Sequence, residues 1–438
     1  MRGLFRRVVT SVKNKFSRNK GTKQTPLQAQ PDQLAHVNAS VGNPAATLVA
    51  GRSQNISQAP LTGGVANDQA AATSPTLQVA LVNHMAETIN CYVTGQAINN
   101  NFAIYLLQSD GITPYYPTSP LSTGTALSAN CSIPIPPGTK TITVPQTAGG
   151  RIWFSVGNTL TFLLNPGPAL VEPSVTNEAD PNINISWAFA EFTYNSTQLY
   201  ANITYVDFVA FPIALSLKNT SGNVTTVGGM TASGLDEICA GLQAQSDTDG
   251  VAGWRDLIVT SNGHNLRALG PNNGIIVHPG DFSDYYDPYV DEVWSRYTNQ
   301  PLTIAASTFN ASGQVSTSTG QLVLGGESFS KPTTQDVFSS NSGPFETGSS
   351  QLRNQIIPQL AAAFNRSTLL TSSTQPTAVD QFYQDRITNH YARIVHAANT
   401  GGKGYAFPYD DVEGAGGDQS GFVNDGNPEL LTVTVGGL

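Results

Sequence analysis

The chain has 438 residues, enough for two packed domains and a loose tail. Only 12% of residues are charged, and 41 Gly and 27 Pro mark a turn-rich, β-heavy chain with an uncharged polar surface. The first 24 residues carry eight Lys or Arg and no acid, so the rest holds thirteen basic against 30 acidic residues, a net charge of −17 that argues against nucleic acid as a partner.

The amino-terminal stretch 1–77 is rich in Gln, Asn, Ala, Gly and Ser with little hydrophobic periodicity, and reads as a disordered basic and polar tail. Leu4, Phe5, Val8, Val9 and Val12 could line one face of a basic amphipathic helix, an organelle-targeting or membrane-surface element. The start lacks the apolar stretch of about 7–15 residues of an ordinary signal peptide, and no run approaches the roughly 20 apolar residues that span a membrane. Three cysteines exclude a dense disulfide framework; one bridge is possible, and Cys91–Cys131 is preferred because both lie in the amino-terminal β region. Ten Asn-X-Ser/Thr sequons, among them Asn195, Asn202, Asn219 and Asn365, permit a secretory route.

Order is expected from Leu77–Asn83, a strand. Further strands are predicted at Cys91–Thr94, Phe102–Leu107, Thr141–Val144, Ile152–Ser155 and Leu160–Leu164, separated by turn clusters such as Pro136-Pro-Gly-Thr139. Ile183–Tyr194 and Tyr200–Ala214 follow as longer strands. The pattern then changes to helices: Ser233–Gln243 with a Ser start signal, Asp287–Tyr297 with Asp as cap and Pro at the first helical position, and residues 352–364 and 388–398. Strands Leu302–Ala306 and Gly320–Leu324 lie between them. β character returns at Tyr405–Asp411 and Leu430–Val435. The expected fold is mainly β with α+β. A β domain is built from residues 78–215 and 399–438, a mixed α/β domain of residues 216–398 is inserted in it, and a wide cleft separates the two.

Two acids stand inside strand-like segments, Glu191 in Trp187-Ala-Phe-Ala-Glu-Phe-Thr-Tyr-Asn195 and Asp207 in Tyr205-Val-Asp-Phe-Val209. An unpaired buried carboxylate is costly, so each must be solvated, paired or functional. If Ile183–Ala214 forms a hairpin centred near Gln198, Glu191 faces Tyr205, and Asp207 is its diagonal neighbour at roughly 7–8 Å. That lies within the roughly 6.5–9.5 Å between the two carboxyls of an inverting glycosidase. Apolar neighbours Trp187, Phe189 and Phe192 raise a carboxyl pKa, so Glu191 is read as the general acid and Asp207 as the base that activates water. The alternative is that each acid pairs with an Arg or caps backbone amides. Tyr200 and Thr204 differ in parity from the two acids, and reach the groove only if a bulge or the turn re-aims them.

The motifs Trp187–Asn195 and Leu199-Tyr-Ala-Asn-Ile-Thr-Tyr-Val-Asp-Phe-Val209 resemble the catalytic region of glycoside hydrolase family 64, the β-1,3-glucanases, some of which release laminaripentaose. The resemblance continues through Asn165–Ser174, Asn389–Asn399, Gly404–Val412 and Asp418–Gly421, covers about residues 78–437, and looks closest to the fungal branch. It implies a thaumatin-like β-barrel beside an α/β domain, inverting hydrolysis of β-1,3-glucan with endo-type release of short oligosaccharides, and no cofactor. Its acid falls on Glu191 and its base on Asp207. Its sugar contacts fall on Thr193, Asn195 and Thr204, with an aromatic one on Tyr200. It also implies an extracellular or cell-wall setting; a single chain without partner subunits is expected. The competing function is that of a non-catalytic glucan-binding protein.

Tyr409 and Asp410, in the cluster of Tyr405, Phe407, Asp411 and Asp418, could contact sugar or build the barrel. Glu172 could line the cleft or make a structural hydrogen bond. His264, His278, His390 and His396 show no metal-ligand spacing, and the clustered Asp residues lack a calcium-loop pattern, so no metal is expected. No phosphate loop, dinucleotide fingerprint or Ser-His-Asp signature occurs.

Overall fold

The computed structural model describes residues 73–415 and 417–438, together with two short strands, Ala35–Val37 and Ala50–Arg52. The expected amphipathic helix and most of the basic tail lie outside the described residues.

Two antiparallel-rich sheets dominate. The larger runs in the order Phe422–Asp425, Leu199–Ile203, Ser186–Tyr194, Thr147–Val156, Ile89–Ala97, Ala103–Leu107, Pro114–Tyr115, with Ile133–Ile135 also on Ile89–Ala97. The second runs Val224–Val227, Ile213–Asn219, Pro428–Val435, Thr76–Asn83, Gly138–Pro145. The last long strand of the chain lies parallel to the first, Leu430 beside Gln78 through Val435 beside Asn83. Both ends of the family-like region are thus sewn into one sheet. Period-two alternation explains the burial. Leu77, Val79 and Leu81 of the second sheet and Ile89, Cys91 and Val93 of the first share one apolar core.

The helices fall between residues 234 and 398, as the periodicity predicts. The helix at Gly234–Asp249 begins after Ser233, whose hydroxyl donates to Glu237 instead of capping an amide. The helix Asp287–Asn299 places Asp287 in its first turn, and Tyr286 holds the cap position. Gln351–Asn365 and His390–Ala398 are capped by the side chains of Ser350 and Asn389. Asp287–Asn299 and Gln351–Asn365 pack with a five-stranded sheet that includes Leu302–Ala305 and Asn310–Val315, while Gly234–Asp249 packs on His390–Ala398 and the strand His264–Leu269. Among the described residues no helix is long and apolar enough to cross a membrane.

Three expectations change. Tyr200–Ala214 is not one strand: it divides into Leu199–Ile203, Phe208–Val209 and the start of Ile213–Asn219, each in a different sheet. Tyr405–Asp411 is not a strand either; only Tyr405 makes a bridge, to Thr204, and turns follow. Cys91, Cys131 and Cys239 are all buried free thiols, so the expected Cys91–Cys131 bridge is not formed. Burial raises the pKa of each, Cys131 to about 11, as for cysteines that serve as small apolar side chains.

Candidate active site

The site is built on the outer face of the larger sheet. Asn195 starts a four-residue turn in which its Oδ1 accepts from the amides of Thr197 and Gln198 and from the Thr197 hydroxyl. Asn is suited to this local bonding. The turn is centred between Ser196 and Thr197, not on Gln198, so Glu191 lies opposite Asn202 rather than Tyr205, and Thr193 opposite Tyr200. Opposed residues in an antiparallel ladder share a face. Odd positions of the Glu191 strand therefore join even positions of the next strand. Tyr200 reaches the Glu191 face without any bulge, and its parity conflict disappears; Thr204 lies one residue past the ladder, bridged to Tyr405.

One cross-strand row on this face reads Thr94, Arg151, Glu191, Asn202, Phe422. The next reads Thr193, Tyr200, Asn424. The Tyr200 and Phe422 rings stack, 5.0 Å apart and 17° from parallel. Further along, Trp153, Trp187 and Phe189 form a buried aromatic bed against Phe208, whose ring meets Trp187 edge-on at 4.6 Å. The face is thus sealed at its aromatic end and accessible at Glu191, Thr193 and Tyr200.

Asp207 lies outside the ladder, near enough for its charge to bear on Glu191 and Arg151. After Ile203 the chain leaves the sheet, and Tyr205 N–H donates to the Tyr405 carbonyl at 2.7 Å. Asp207 then immediately precedes Phe208, which is clamped on the aromatic bed. Diagonal-neighbour spacing along a hairpin therefore does not apply to the pair. The Asp207 backbone is held instead by Gly270 N–H at 2.8 Å and Asn273 Nδ2 at 3.0 Å. Gly270 is required by this close approach: a Cβ there would sit 2.2 Å from the Val206 carbonyl oxygen and 3.2 Å from that of Asp207. Gly270→Ala should cost about 1–3 kcal/mol of stability and shift the Asp207 segment. Thermal melting and turnover on glucan measured together check this: both should fall, and wild-type values of both contradict it.

The two carboxyls share an electrostatic neighbourhood. Arg151 Nε donates to Glu191 Oε1 at 3.2 Å, and its Nη1 to Glu172 Oε2 at 2.6 Å. Burial raises the Glu191 pKa; Arg151 opposes this, and the negative charge of Asp207 adds to it, so the net shift is upward. Asp207 is also raised by surrounding protein, although its side chain keeps contact with solvent, while Arg151 and Asn273 pull in the other direction. Two accessible acids, each inclined to hold a proton and one feeling the charge of the other, can divide acid and base roles.

The remaining predicted residues separate clearly. Thr193 and Tyr200 lie on the Glu191 face, part-exposed, and Thr204 is part-exposed just beyond the end of that strand. Asn195 has its oxygen committed to the turn, leaving Nδ2 for a ligand. Tyr409 is part-exposed at a left-handed position, φ 70°. Asp410 is a correction: it is fully buried, ion-paired with Arg366 at 3.0 Å, 3.0 Å from His396 Nε2, and accepts from the Ala406 amide. It is closed to a sugar and serves the fold. Glu172 is buried on Arg151 and does not line an open surface. Arg151, Gly270 and Asn273 were not singled out from the sequence. A lone Arg in Gly149-Gly-Arg-Ile-Trp153 could have signalled a charge between two apolar strands; nothing local marks Gly270 or Asn273.

The family model described as β-1,3-glucanase, glycoside hydrolase family 64, matches residues 75–435. Glucan endo-1,3-β-glucosidases of Cellulosimicrobium cellulans and of an Arthrobacter species are each 32% identical over 307 residues, covering 67% of this chain and 53% of theirs. The chain thus spans about half the length of these curated relatives, which are bacterial. A solved laminaripentaose-producing β-1,3-glucanase in complex with laminaritetraose superposes with a TM-score of 0.74 at 31% identity, covering 83% of this chain and 99% of that one. A β-1,3-glucanase domain from Clostridium beijerinckii shares the fold, with a TM-score of 0.63 at 22% identity, covering 82% of this chain and 98% of that one. With the family model covering most of its length and relatives above 30% identity, this chain belongs to the β-1,3-glucanases of glycoside hydrolase family 64.

Proposed function

We propose that the protein is a glycoside hydrolase that cleaves β-1,3-glucan by a single inverting displacement, releasing short laminari-oligosaccharides from within the chain. Glu191 protonates the departing glycosidic oxygen, and Asp207 takes a proton from the attacking water. The observation that carries this reading is the pair itself: two solvent-accessible acids, near enough for the charge of one to bear on the other, both with raised pKa values and both under the influence of Arg151. Because the Asp207 charge bears on Glu191, ionisation of one disfavours ionisation of the other, and in this reading Glu191 is the partner that holds the proton.

Thr193, Thr204 and the Asn195 amide are suited to hydrogen bonds with glucose hydroxyls, and the Tyr200 ring to an apolar sugar face. The substrate lies in a groove along this face, between the β sheets, taken as a thaumatin-like barrel, and the helical part. A fungal origin and wall-glucan target rest on the motif resemblance. The displacement as written needs only the two carboxyls and a water.

Incubation with laminarin, followed by reducing-end assay and chromatography, tests the reading. Short laminari-oligosaccharides are expected. Retention on insoluble β-1,3-glucan without any product contradicts it and favours the binding protein.

A further inference from the structure

Glu191 presents a physical problem for a proton donor. A guanidinium within hydrogen-bond reach of a carboxyl ordinarily lowers its pKa by about one to three units, which would empty it of its proton. Arg151 touches Glu191 directly, yet the arrangement around it is not a simple ion pair. The shorter contact of Arg151 is with Glu172, 2.6 Å against 3.2 Å. Glu172 is 5% exposed, whereas Glu191 is 36% exposed.

Glu172 is itself fixed. Its Oε1 accepts from the Thr94 hydroxyl at 3.2 Å, and Thr94 Oγ1 accepts from the Trp153 indole N–H at 3.0 Å. The guanidinium lies over the Phe189 ring, 4.7 Å from its centroid, and near Trp153 at 5.4 Å. An aromatic bed, a buried carboxylate and a hydroxyl relay therefore set the position of Arg151 before Glu191 contributes anything.

We propose that Arg151 and Glu172 are positioning residues for Glu191: buried Glu172 neutralises the guanidinium, so that Arg151 aims the Glu191 carboxyl toward the substrate without stripping its proton. This rests on the reading of Glu191 as general acid. The charged or titratable groups facing Glu191 are Arg151 from the preceding strand in the sheet, Glu172 from the segment after Ala169–Val171, Asp207 from the connection to Phe208, and Tyr200 from the hairpin partner. Arg151 is the largest charge acting on Glu191, and Glu172, its shorter contact, offsets part of that pull; burial and the Asp207 charge supply the rest of the upward shift. Loss of Glu172 leaves the guanidinium charge to Glu191 and Asp207.

The test compares Glu172→Gln, Arg151→Gln and the double variant in two measurements: the pH profile of kcat/KM on laminarin, and a direct carbon-13 NMR titration of the Glu191 carboxyl. In Glu172→Gln the Glu191 midpoint should fall by about one unit or more, and the alkaline limb of the profile should fall with it. In Arg151→Gln the midpoint should rise. The double variant buries no unmatched charge and should return toward the wild-type midpoint, which keeps the test informative if a single variant does not fold. An unmoved Glu191 midpoint in folded Glu172→Gln, or a double variant that titrates like Glu172→Gln, overturns the proposal. A midpoint that falls while the alkaline limb stays in place supports the charge balance and instead rejects Glu191 as the general acid, so the two failures are distinguishable.

Discussion

Replacing Glu191 with Gln should lower kcat on laminarin by about a hundredfold to ten-thousandfold, the range a positioned acid or base contributes. Asp207→Asn should cause a loss of the same order, with thermal stability close to wild type in both. The reason lies in the charge logic. In Glu191→Gln the new amide oxygen can still accept from Arg151 Nε, so the local packing survives, but the side chain cannot release a proton to the leaving oxygen. Asp207→Asn keeps the backbone bonds from Gly270 and Asn273, which depend on the main chain and not on the carboxyl. The pH profile follows from the same shifts. Activity should decline as pH rises through the raised Glu191 pKa, where the donor is lost, and as pH falls through that of Asp207, where the base is lost. A variant with wild-type turnover rejects the role of that residue.

The largest effect on stability is expected at Asp410. Its carboxylate has no solvent contact and meets both Arg366 and His396 at 3.0 Å, and Arg366 also donates to the carbonyls of Asp410 and Val412. Arg366 follows the helix Gln351–Asn365 and His396 lies in His390–Ala398, so one buried acid ties two helices to the turns before the final strands. Asp410→Ala leaves a buried guanidinium without its counter-charge and should cost about 3–5 kcal/mol. Burial alone would raise the Asp410 pKa, but His396, Arg366 and the Ala406 amide outweigh it and hold it below the ordinary carboxylate value. A depressed folded pKa gives stability that is present above the unfolded value and is lost as pH falls through the folded one. Wild type should therefore weaken on acidification below the carboxylate range, and Asp410→Asn should lose that part of the pH dependence. Chemical denaturation of both proteins across pH checks it; equal stability of Asp410→Ala and wild type contradicts the assignment.

The sequence made much of this readable, for reasons that differ between elements. Apolar, aromatic and β-branched runs between turn clusters located Thr76–Asn83 and Ser186–Tyr194 and the part of Thr147–Val156 at Ile152–Ser155. Helical spacing located Asp287–Asn299 and Gln351–Asn365. The tract Tyr200–Ala214 misled because apolar, β-branched residues serve equally well in three short strands of different sheets, and nothing local marks where the chain leaves one sheet for another. The hairpin register failed by a small offset, since turn length and not hydrophobicity sets it, and that offset created the apparent conflict over Tyr200. Asp410 looked like a sugar ligand because its partners, Arg366 and His396, are distant in the chain. Arg151 was hidden for the same reason, and Glu172, legible as a structural hydrogen-bonding residue, gave no sign of its partner: a charge balance between strands is a tertiary property, absent from any single stretch of residues.

The central claim is that a proton donor at Glu191 and a water activator at Asp207 act in one step. Proton NMR of the first product formed from laminarin, recorded before mutarotation, tests it most directly. The α-anomer at the new reducing end is the expected result. Initial formation of the β-anomer would mean that a carboxylate attacks the sugar itself, and would contradict the account.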